Sequence, residues 1–491
     1  MALSPSSSLG LAAHVPMTHL GPATAVSTMS DLASSTAARP DLAIFIPSYA
    51  GGGGERIGLF LARSLADAGL SVDLVVACAD GPLRDQPLPG VTKVDLRAVT
   101  EILAAPAWVR YLKRVRPRCA MSLIHTANFS SGIGAFFVPD VPVIVNLRIA
   151  LRCDPAAQWW FRSWFGFGPE RRAYRRAARI VGVSQGVADE AAELFDMPPE
   201  KLLSIPNPRR SRDAGGEIAP EHETLFAKPV VLGVWRLAPQ KDFAMLLRAF
   251  ADLATRRDLH LVILGEGPER ASLEAQAKEL GLAGRVFFPG FVDDPEAYAR
   301  RARVFALSSR NEGFPGALIE ALEAGAAIVS TDCPFGPREV LDGDRFGRLV
   351  PVGDAKGFAA AIEAELDAPD PGPDARRAQR ADWMQRYDPE VITARYLSLV
   401  QEVIERPTPS VTKYDPEAHG HASPRRQRPG KVRRDRRERS HDPPLHPDNS
   451  EVIACRRASS MVPRTRSLVA AWAGMSSLLS AAAVSRAASR S

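Results

Sequence analysis

Cysteine is scarce in this 491-residue chain: Cys78, Cys119, Cys153, Cys333 and Cys455 stand far apart, with no C-x-x-C pair. Such spacing excludes a disulfide framework and the usual structural zinc sites, and it fits a reducing compartment. No Lys or Arg occurs before Arg39, so the amino-terminal segment lacks the charged n-region of a signal peptide. A long apolar run is also missing. Leu468 to Ser485 is uncharged for 18 residues, but Gly474, Ser476, Ser477, Ser480 and many Ala dilute it below what a bilayer span requires. There is no residue-level internal repeat.

What the chain does have is bulk: 45% hydrophobic and 24% charged residues over this length make a core for at least two ordinary domains. The formal charge of +6 is unevenly placed. Pro407 to Ser491 carries 16 Lys+Arg against 7 Asp+Glu, net +9, which leaves 46 against 49, net −3, for residues 1–406. The basic character therefore belongs to a tail rich in Arg, Pro and Ser, whose composition predicts disorder. A frame-shifted reading of a GC-rich gene would look the same. Residues 1–40, rich in Ser, Ala, Thr and Pro, form a second extension expected to be disordered, and Met17 and Met29 offer alternative starts.

From Asp41 the pattern is regular. An apolar run at Leu42 to Ile46, a Gly-rich loop, a helical period over Glu55 to Ala68 and a second run at Val72 to Val76 predict a β-α-β unit. Further strands are expected at Val91 to Leu96, Ala120 to Ile124, Val141 to Asn146 and Arg179 to Val183, with helices at Ile102 to Arg114 and Gly186 to Phe195. That alternation predicts an α/β domain with a parallel sheet over residues 41–208. Residues 209–228 are polar, lack apolar periodicity and read as a linker. A second α/β domain, 229–388, repeats the alternation, with strands at Val230 to Val234, Leu259 to Leu264, Arg285 to Pro289, Val304 to Leu307, Ala327 to Thr331 and Gly347 to Val350. Asp242 is a suitable N-cap for a helix over Phe243 to Thr255. A last helix, 389–406, precedes the tail, 407–491.

Ligands of parallel sheets bind beyond the carboxyl ends of the strands, so chemistry belongs in the loops that follow them. The first such loop holds Gly51, Gly52, Gly53 and Gly54. Its glycines would admit a phosphate at a helix N-terminus, but the loop reads equally as a flexible turn, and G-x-G-x-x-G fails at Arg56. In the second domain, Arg236 follows the first strand and Lys241 opens the next helix. A cation there opposes the helix dipole unless an anion lies nearby, which favours a phosphate over two solvated cations. The segment Arg310 to Ala321 (RNEGFPGALIEA) combines Glu312 before a helix with Glu320 about 160 degrees off the apolar stripe of that helix. Pro315 suits the first helical turn. The backbone N–H groups of Gly313, Phe314 and Gly316 would surround an oxygen-rich ligand. Asp342-Gly343-Asp344 spells D-x-D, yet its residues suit a tight turn and are taken as one.

Glu312-x7-Glu320 with the intervening Gly-Phe-Pro, Arg236-x4-Lys241, Leu264 to Pro268 (LGEGP), Pro289 to Val292 (PGFV), Gly336 to Glu339 (GPRE) and Gly347 to Val350 (GRLV) resemble the retaining glycosyltransferase family 4. The resemblance covers roughly Asp41 to Ile404. It implies the GT-B fold, two Rossmann-like domains facing each other across a cleft, with the last helix crossing back to the first domain. It implies transfer of a hexosyl or N-acetylhexosaminyl group from a nucleotide sugar, UDP in preference to GDP, to a glycan or lipid-linked acceptor in bacterial polysaccharide assembly. By the same resemblance Glu320 binds the ribose, Glu312 and residues 313–316 hold the donor sugar, and Arg236 and Lys241 neutralise the leaving diphosphate. Gly290, Phe291 and Val292 lie along the base, beside Gly265, while Gly53 and Gly54 approach from the other domain. Family members often carry a crevice histidine near the donor sugar; His125 is the candidate, with Asn128 as the alternative and Arg148 as a further group that reads equally as surface charge. The chemistry needs neither a metal nor an organic cofactor. A cytoplasmic location follows, with peripheral attachment to an anionic membrane through the tail and no specific nucleic-acid partner. An epimerase or phosphorylase of the same fold, or a tail-mediated nucleic-acid or membrane binder, are the competing functions.

Overall fold

The computed structural model describes residues 27–28, 39–153, 168–209 and 216–406. Eight strands form the first sheet: β1 (Ser27–Thr28), β2 (Leu42–Ile46), β3 (Val72–Val76), β4 (Val91–Asp95), β5 (Cys119–Leu123), β6 (Val143–Leu147), β7 (Arg179–Gly182) and β8 (Leu202–Ser204). Their order is β1-β4-β3-β2-β5-β6-β7-β8, and every pairing is parallel. Helices α1 (Gly53–Asp67), α2 (Ala105–Val115), α3 (His125–Phe137), α4 (Gly168–Tyr174) and α5 (Gln185–Phe195) cover its faces. β2, β3, β5 and β6 are buried at all positions, as expected of parallel strands sandwiched between helices.

The second sheet holds β9 (Val230–Val234), β10 (His260–Leu264), β11 (Val286–Gly290), β12 (Val304–Leu307), β13 (Ile328–Thr331) and β14 (Arg348–Val350), in the parallel order β11-β10-β9-β12-β13-β14. Its helices are α6 (Phe243–Ala254), α7 (Arg270–Glu279), α8 (Pro295–Arg301), α9 (Gly316–Glu323), α10 (Pro337–Val340), α11 (Ala355–Asp367) and α12 (Pro373–Met384). The last helix, α13 (Pro389–Glu405), returns to the first lobe: Ile392, Tyr396, Leu399, Val400 and Val403 share a core with β2, β3 and α1. The two crossings run side by side, Arg209 N–H donating to the Tyr387 carbonyl at 2.7 Å.

Two readings of the sequence are revised. β5 stops at Leu123, one residue short of the expected end, and His125, beyond it, is the first residue of a helix, α3, that the sequence did not mark. α3 buries small residues around most of its circumference (Ala127, Ser130, Ser131, Gly132, Gly134, Ala135), which removes the polar face that marks a helix in sequence. The supposed linker is not free either. Pro220–Ala227 forms a 3₁₀ helix on the second lobe, where the Leu225 carbonyl meets His260 Nδ1 at 2.8 Å and His222 meets the Tyr298 hydroxyl at 2.6 Å.

Among the described residues, several contacts between the lobes come from segments that follow strand carboxyl ends. Gln185 N–H, after β7, donates to Glu339 Oε2, after β13, at 2.9 Å. A Cβ placed on Gly313, after β12, would stand 2.4 Å from the Arg148 carbonyl oxygen, after β6. The carboxyl ends of both sheets therefore face one cleft.

Candidate active site

The loop after β9 is held by its neighbours: Trp235 N–H donates to the Leu264 carbonyl and Leu237 N–H to that of Glu266, each at 3.0 Å. Gly265 makes this possible. It has φ +122°, and a Cβ there would lie 2.0 Å from the Trp235 carbonyl oxygen. The loop ends in a 3₁₀ turn, Pro239–Lys241, and Asp242, with φ 48°, caps α6 by accepting Met245 N–H at 3.2 Å. That left-handed residue turns Lys241 inward, to 5% exposure.

There Lys241 Nζ meets Glu312 Oε1 at 2.6 Å, and Ser309 Oγ donates to the same oxygen at 2.6 Å. The ammonium also sits 3.9 Å from the centre of the Trp235 ring, a cation–π contact. The β9 and β12 loops are sewn together around the pair. Ser308 Oγ donates to the Lys241 carbonyl at 2.7 Å, Arg310 N–H to the Gln240 carbonyl at 2.8 Å, and Gln240 Nε2 to the Asn311 carbonyl at 2.8 Å. Asp242 pairs with Arg310 at 2.8 Å. Burial pushes the Lys241 ammonium below its ordinary value, against the pull of Glu312. Cys333, buried nearby, is pushed up to about 12 by burial, with the Glu312 charge adding to it, so it stays a neutral thiol.

Glu312 is 3% exposed, so neither it nor Lys241 is a solvated surface charge. Each buried ion costs several kcal/mol of desolvation, roughly what a well-made pair recovers, so stability alone does not explain such a pair. Perturbed, paired ions in a cleft are characteristic of reactive sites. Arg236 is exposed, one residue beyond Trp235.

α9 begins at Gly316 with Pro315 as its N-cap, one position before the expected first turn. Gly336 leans on this loop, since a Cβ there would lie 2.5 Å from Pro315 Cδ. Phe314 is buried, whereas a Cβ on Gly316 would meet nothing within 4 Å, so the start of the helix is open. Glu320 lies half-buried on α9, and its charge helps raise the carboxyl of Glu296 on α8, for which burial is the larger cause. β11 ends at Gly290, with φ +89°, and the loop into α8 carries Val292 half-buried and Phe291 76% exposed, a large apolar ring left facing solvent.

In the first lobe, Gly53 starts α1 with open space above it, while Gly54 is closed off by Ile124, 2.5 Å from a hypothetical Cβ. His125 is half-buried at the start of α3. Asn128 is 1% exposed and engaged at both ends, accepting from Ser122 Oγ at 2.8 Å and donating to the Asn146 carbonyl at 2.6 Å. Arg148 is not surface charge: it donates to Asn207 Oδ1 and hydrogen-bonds Tyr396, and burial holds it below the ordinary arginine value. Asp342, with φ 53°, and Gly343, with φ 68°, form a tight turn. A cavity of about 730 Å³ between β14, α11 and α12 is lined by Asp344 and by Gly347 to Val350, but by none of the candidate catalytic or donor-binding residues. Ser309, Trp235, Asn207 and Tyr396 were missed by sequence reasoning. Ser309 and Trp235 follow strand ends and were open to discovery by that rule; nothing local marks Asn207 or Tyr396.

The family model described as Glycosyltransferase Family 4 matches residues 51–209, and that described as Glycosyl transferases group 1 matches residues 217–382. The chain is a glycosyltransferase of the GT-B fold. The N-acetylgalactosamine-N,N'-diacetylbacillosaminyl-diphospho-undecaprenol 4-alpha-N-acetylgalactosaminyltransferase of Campylobacter jejuni is 36% identical to this glycosyltransferase over 40% of the chain and 52% of the relative, about half its length. The lipopolysaccharide core biosynthesis glycosyltransferase LpsE of Rhizobium meliloti is 28% identical over 71% of the chain and 96% of the relative. Among solved structures, Anabaena HepE in complex with UDP superposes with a TM-score of 0.60 at 18% identity, over 74% of this chain and 100% of that one. The lipopolysaccharide outer core galactosyltransferase WaaB gives 0.58 at 17% identity, over 74% and 99%. At these identities the structures establish the fold.

Proposed function

We propose that this glycosyltransferase moves a hexosyl or N-acetylhexosaminyl group from a UDP-sugar to a glycan or lipid-linked acceptor, with retention of anomeric configuration. The buried Lys241–Glu312 pair beside the open start of α9 carries the reading. Bound UDP and UDP-glucose in the Anabaena HepE structures, and a diphospho-undecaprenol in the name of the Campylobacter relative, support the choice of donor and the class of acceptor.

In this reading Glu320 accepts hydrogen bonds from the ribose hydroxyls, and Gly290, Phe291 and Val292 border the base, next to Gly265. Arg236 and Lys241 hold the diphosphate. Glu312 and the backbone of Gly313, Phe314, Pro315 and Gly316 hold the sugar, with His125, Gly53 and Gly54 approaching from the first lobe. The bond between anomeric carbon and phosphate oxygen breaks with its electron pair on the phosphate. The acceptor oxygen bonds to the same face of that carbon, and its proton passes to the departing phosphate. Arg236, Lys241 and the α9 N-terminus oppose charge that grows toward the transition state, which is where stabilisation accelerates a reaction. Lys241 is already oriented by Glu312 and Trp235, so little reorganisation remains when the charge appears.

A panel of nucleotide sugars, scored by thermal shift and then by transfer, tests the donor, because a ligand of the folded state raises apparent stability. Arg236→Ala is expected to cut turnover by about 100-fold, the scale of losing one donor to a developing anion. Glu320→Ala is expected to weaken UDP-sugar binding by about tenfold or more, the scale of a lost charge-assisted hydrogen bond. Wild-type activity in both variants would refute the assignment.

A further inference from the structure

We infer that Tyr396, on the helix that crosses back between the lobes, is a positioning residue for transfer: its hydroxyl tethers the β5–α3 turn and the loop after β6. The inference rests on the reading of the cleft as the transfer site, with His125 facing it.

The hydroxyl is fully inside the protein. Tyr396 is 1% exposed among Ile392, Leu399 and Val400, where a phenylalanine would fill the same volume. Instead it donates to Asn146 Oδ1 at 2.9 Å and hydrogen-bonds Arg148. Asn146 Nδ2 donates to the Ser122 carbonyl at 3.0 Å. The Asn146 carbonyl accepts from Asn128 Nδ2 at 2.6 Å, and Asn128 Oδ1 accepts from Ser122 Oγ at 2.8 Å. The ring of three polar side chains is closed and buried, so a partner removed from it leaves a donor or acceptor unsatisfied.

Directly above that ring the backbone is strained. Ile124 adopts φ 74° and ψ 147°, a region open to glycine and hostile to a β-branched residue. Such a conformation persists only where its surroundings over-determine it, and here they do. Asn128, one turn into α3, is fixed by Ser122 and Asn146, while Asn128 N–H donates to the Ile124 carbonyl at 2.9 Å. The absence of a side chain on Gly54 leaves the space that Ile124 fills. His125 is the next residue, so the strained turn sets where its imidazole stands.

The second arm runs through Arg148. Its guanidinium joins Tyr396 on the returning crossing to Asn207 on the outgoing one, with no carboxylate partner among the described residues. Its carbonyl oxygen is the atom against which Gly313, in the sugar-binding loop of the other lobe, is packed. One hydroxyl thus bears on both sides of the cleft without touching a ligand.

The test uses the full-length chain carrying Tyr396→Phe, which keeps the packing and removes only the hydroxyl. Expected are a turnover loss of about tenfold, since a displacement near 1 Å can cost more than that, and UDP affinity within about twofold of wild type, because the nucleotide residues lie on the other lobe. Adding Ile124→Gly should recover at least half of the lost turnover on a logarithmic scale, since glycine holds that turn without the tether. Unchanged turnover in Tyr396→Phe, or a loss shared equally by UDP affinity and not recovered by Ile124→Gly, overturns the inference. Hydrogen exchange over residues 119–137 reads the tether whatever the protein transfers: about fivefold faster exchange in Tyr396→Phe supports it, and unchanged exchange overturns it. Failure of the functional reading looks different, as wild-type protein would then transfer nothing from any nucleotide sugar.

Discussion

Glu312 and Lys241 neutralise each other where neither reaches bulk water, and this makes them unequal to ordinary ion-pair residues in what their removal does. Glu312→Ala leaves an ammonium buried against the Trp235 ring with no carboxylate, and is expected to destabilise the protein by about 3–5 kcal/mol. Lys241→Met combined with Glu312→Leu removes both charges with similar volume and should come within about 1 kcal/mol of wild type, because a well-packed apolar pair recovers the desolvation cost. Both proteins should be inactive in transfer. Urea unfolding separates the two cases; equal destabilisation by the single and the double variant would show that the pair is solvated in solution. The sequence marked these residues by position, after a strand and before a helix, and the expected roles put one on the diphosphate and the other on the sugar. Their contact with each other was not legible, because it depends on the inward turn at Asp242 and on how two loops 71 residues apart meet.

At the level of elements, strands were far easier to read than helices. β2, β3, β9 and β12 occupy the expected residues without adjustment, because each is a short, mostly apolar block preceded by Pro or a polar residue. α3 escaped because burial on nearly every side erases its period. The element that decides lobe geometry is the hinge. Arg209 pairs with Glu323 at the end of α9 at 2.8 Å and with Asp388, the N-cap of α13, at 2.7 Å. The hydrogen bond from Arg209 holds the Asp388 carboxyl below the ordinary carboxylate range. A folded pKa below the unfolded one means that the unfolded chain binds more protons between the two values. The stabilisation is therefore present above about pH 4 and disappears as pH falls through the depressed folded value. Partial exposure keeps it small, at most about 1 kcal/mol. Asp388→Asn preserves the cap on Glu390 N–H and deletes the titration. The variant should lie slightly below wild type in stability at pH 7 and converge on it as pH falls through the depressed folded value of Asp388. Thermal unfolding across that range checks this; parallel curves would remove the hinge pair from the acid response.

For the whole molecule, the proposed transfer requires the two lobes to come together closely enough to shut out water. The lobes approach backbone to backbone where Gly313 faces Arg148 and Ile149, with room for a hydrogen and no more. A Cβ on residue 313 would lie 2.4 Å from the Arg148 carbonyl oxygen and 2.8 Å from Ile149 Cα, atoms that cannot swing aside like a side-chain tip. At another contact the Gln185 amide, at the N-terminus of α5, donates to Glu339, where a carboxylate suits the helix dipole. Burial raises that carboxyl above its ordinary value while the Gln185 bond lowers it. Gly313→Ala should therefore hold the lobes apart without altering either lobe. The proposed nucleotide residues on the second lobe remain, so UDP affinity should stay within about threefold of wild type, whereas turnover should fall by about 100-fold because the reacting groups no longer meet. UDP titration and steady-state transfer measure the two quantities on the same protein. A Gly313→Ala enzyme with full turnover would mean that transfer does not depend on this approach, and that the cleft closes elsewhere.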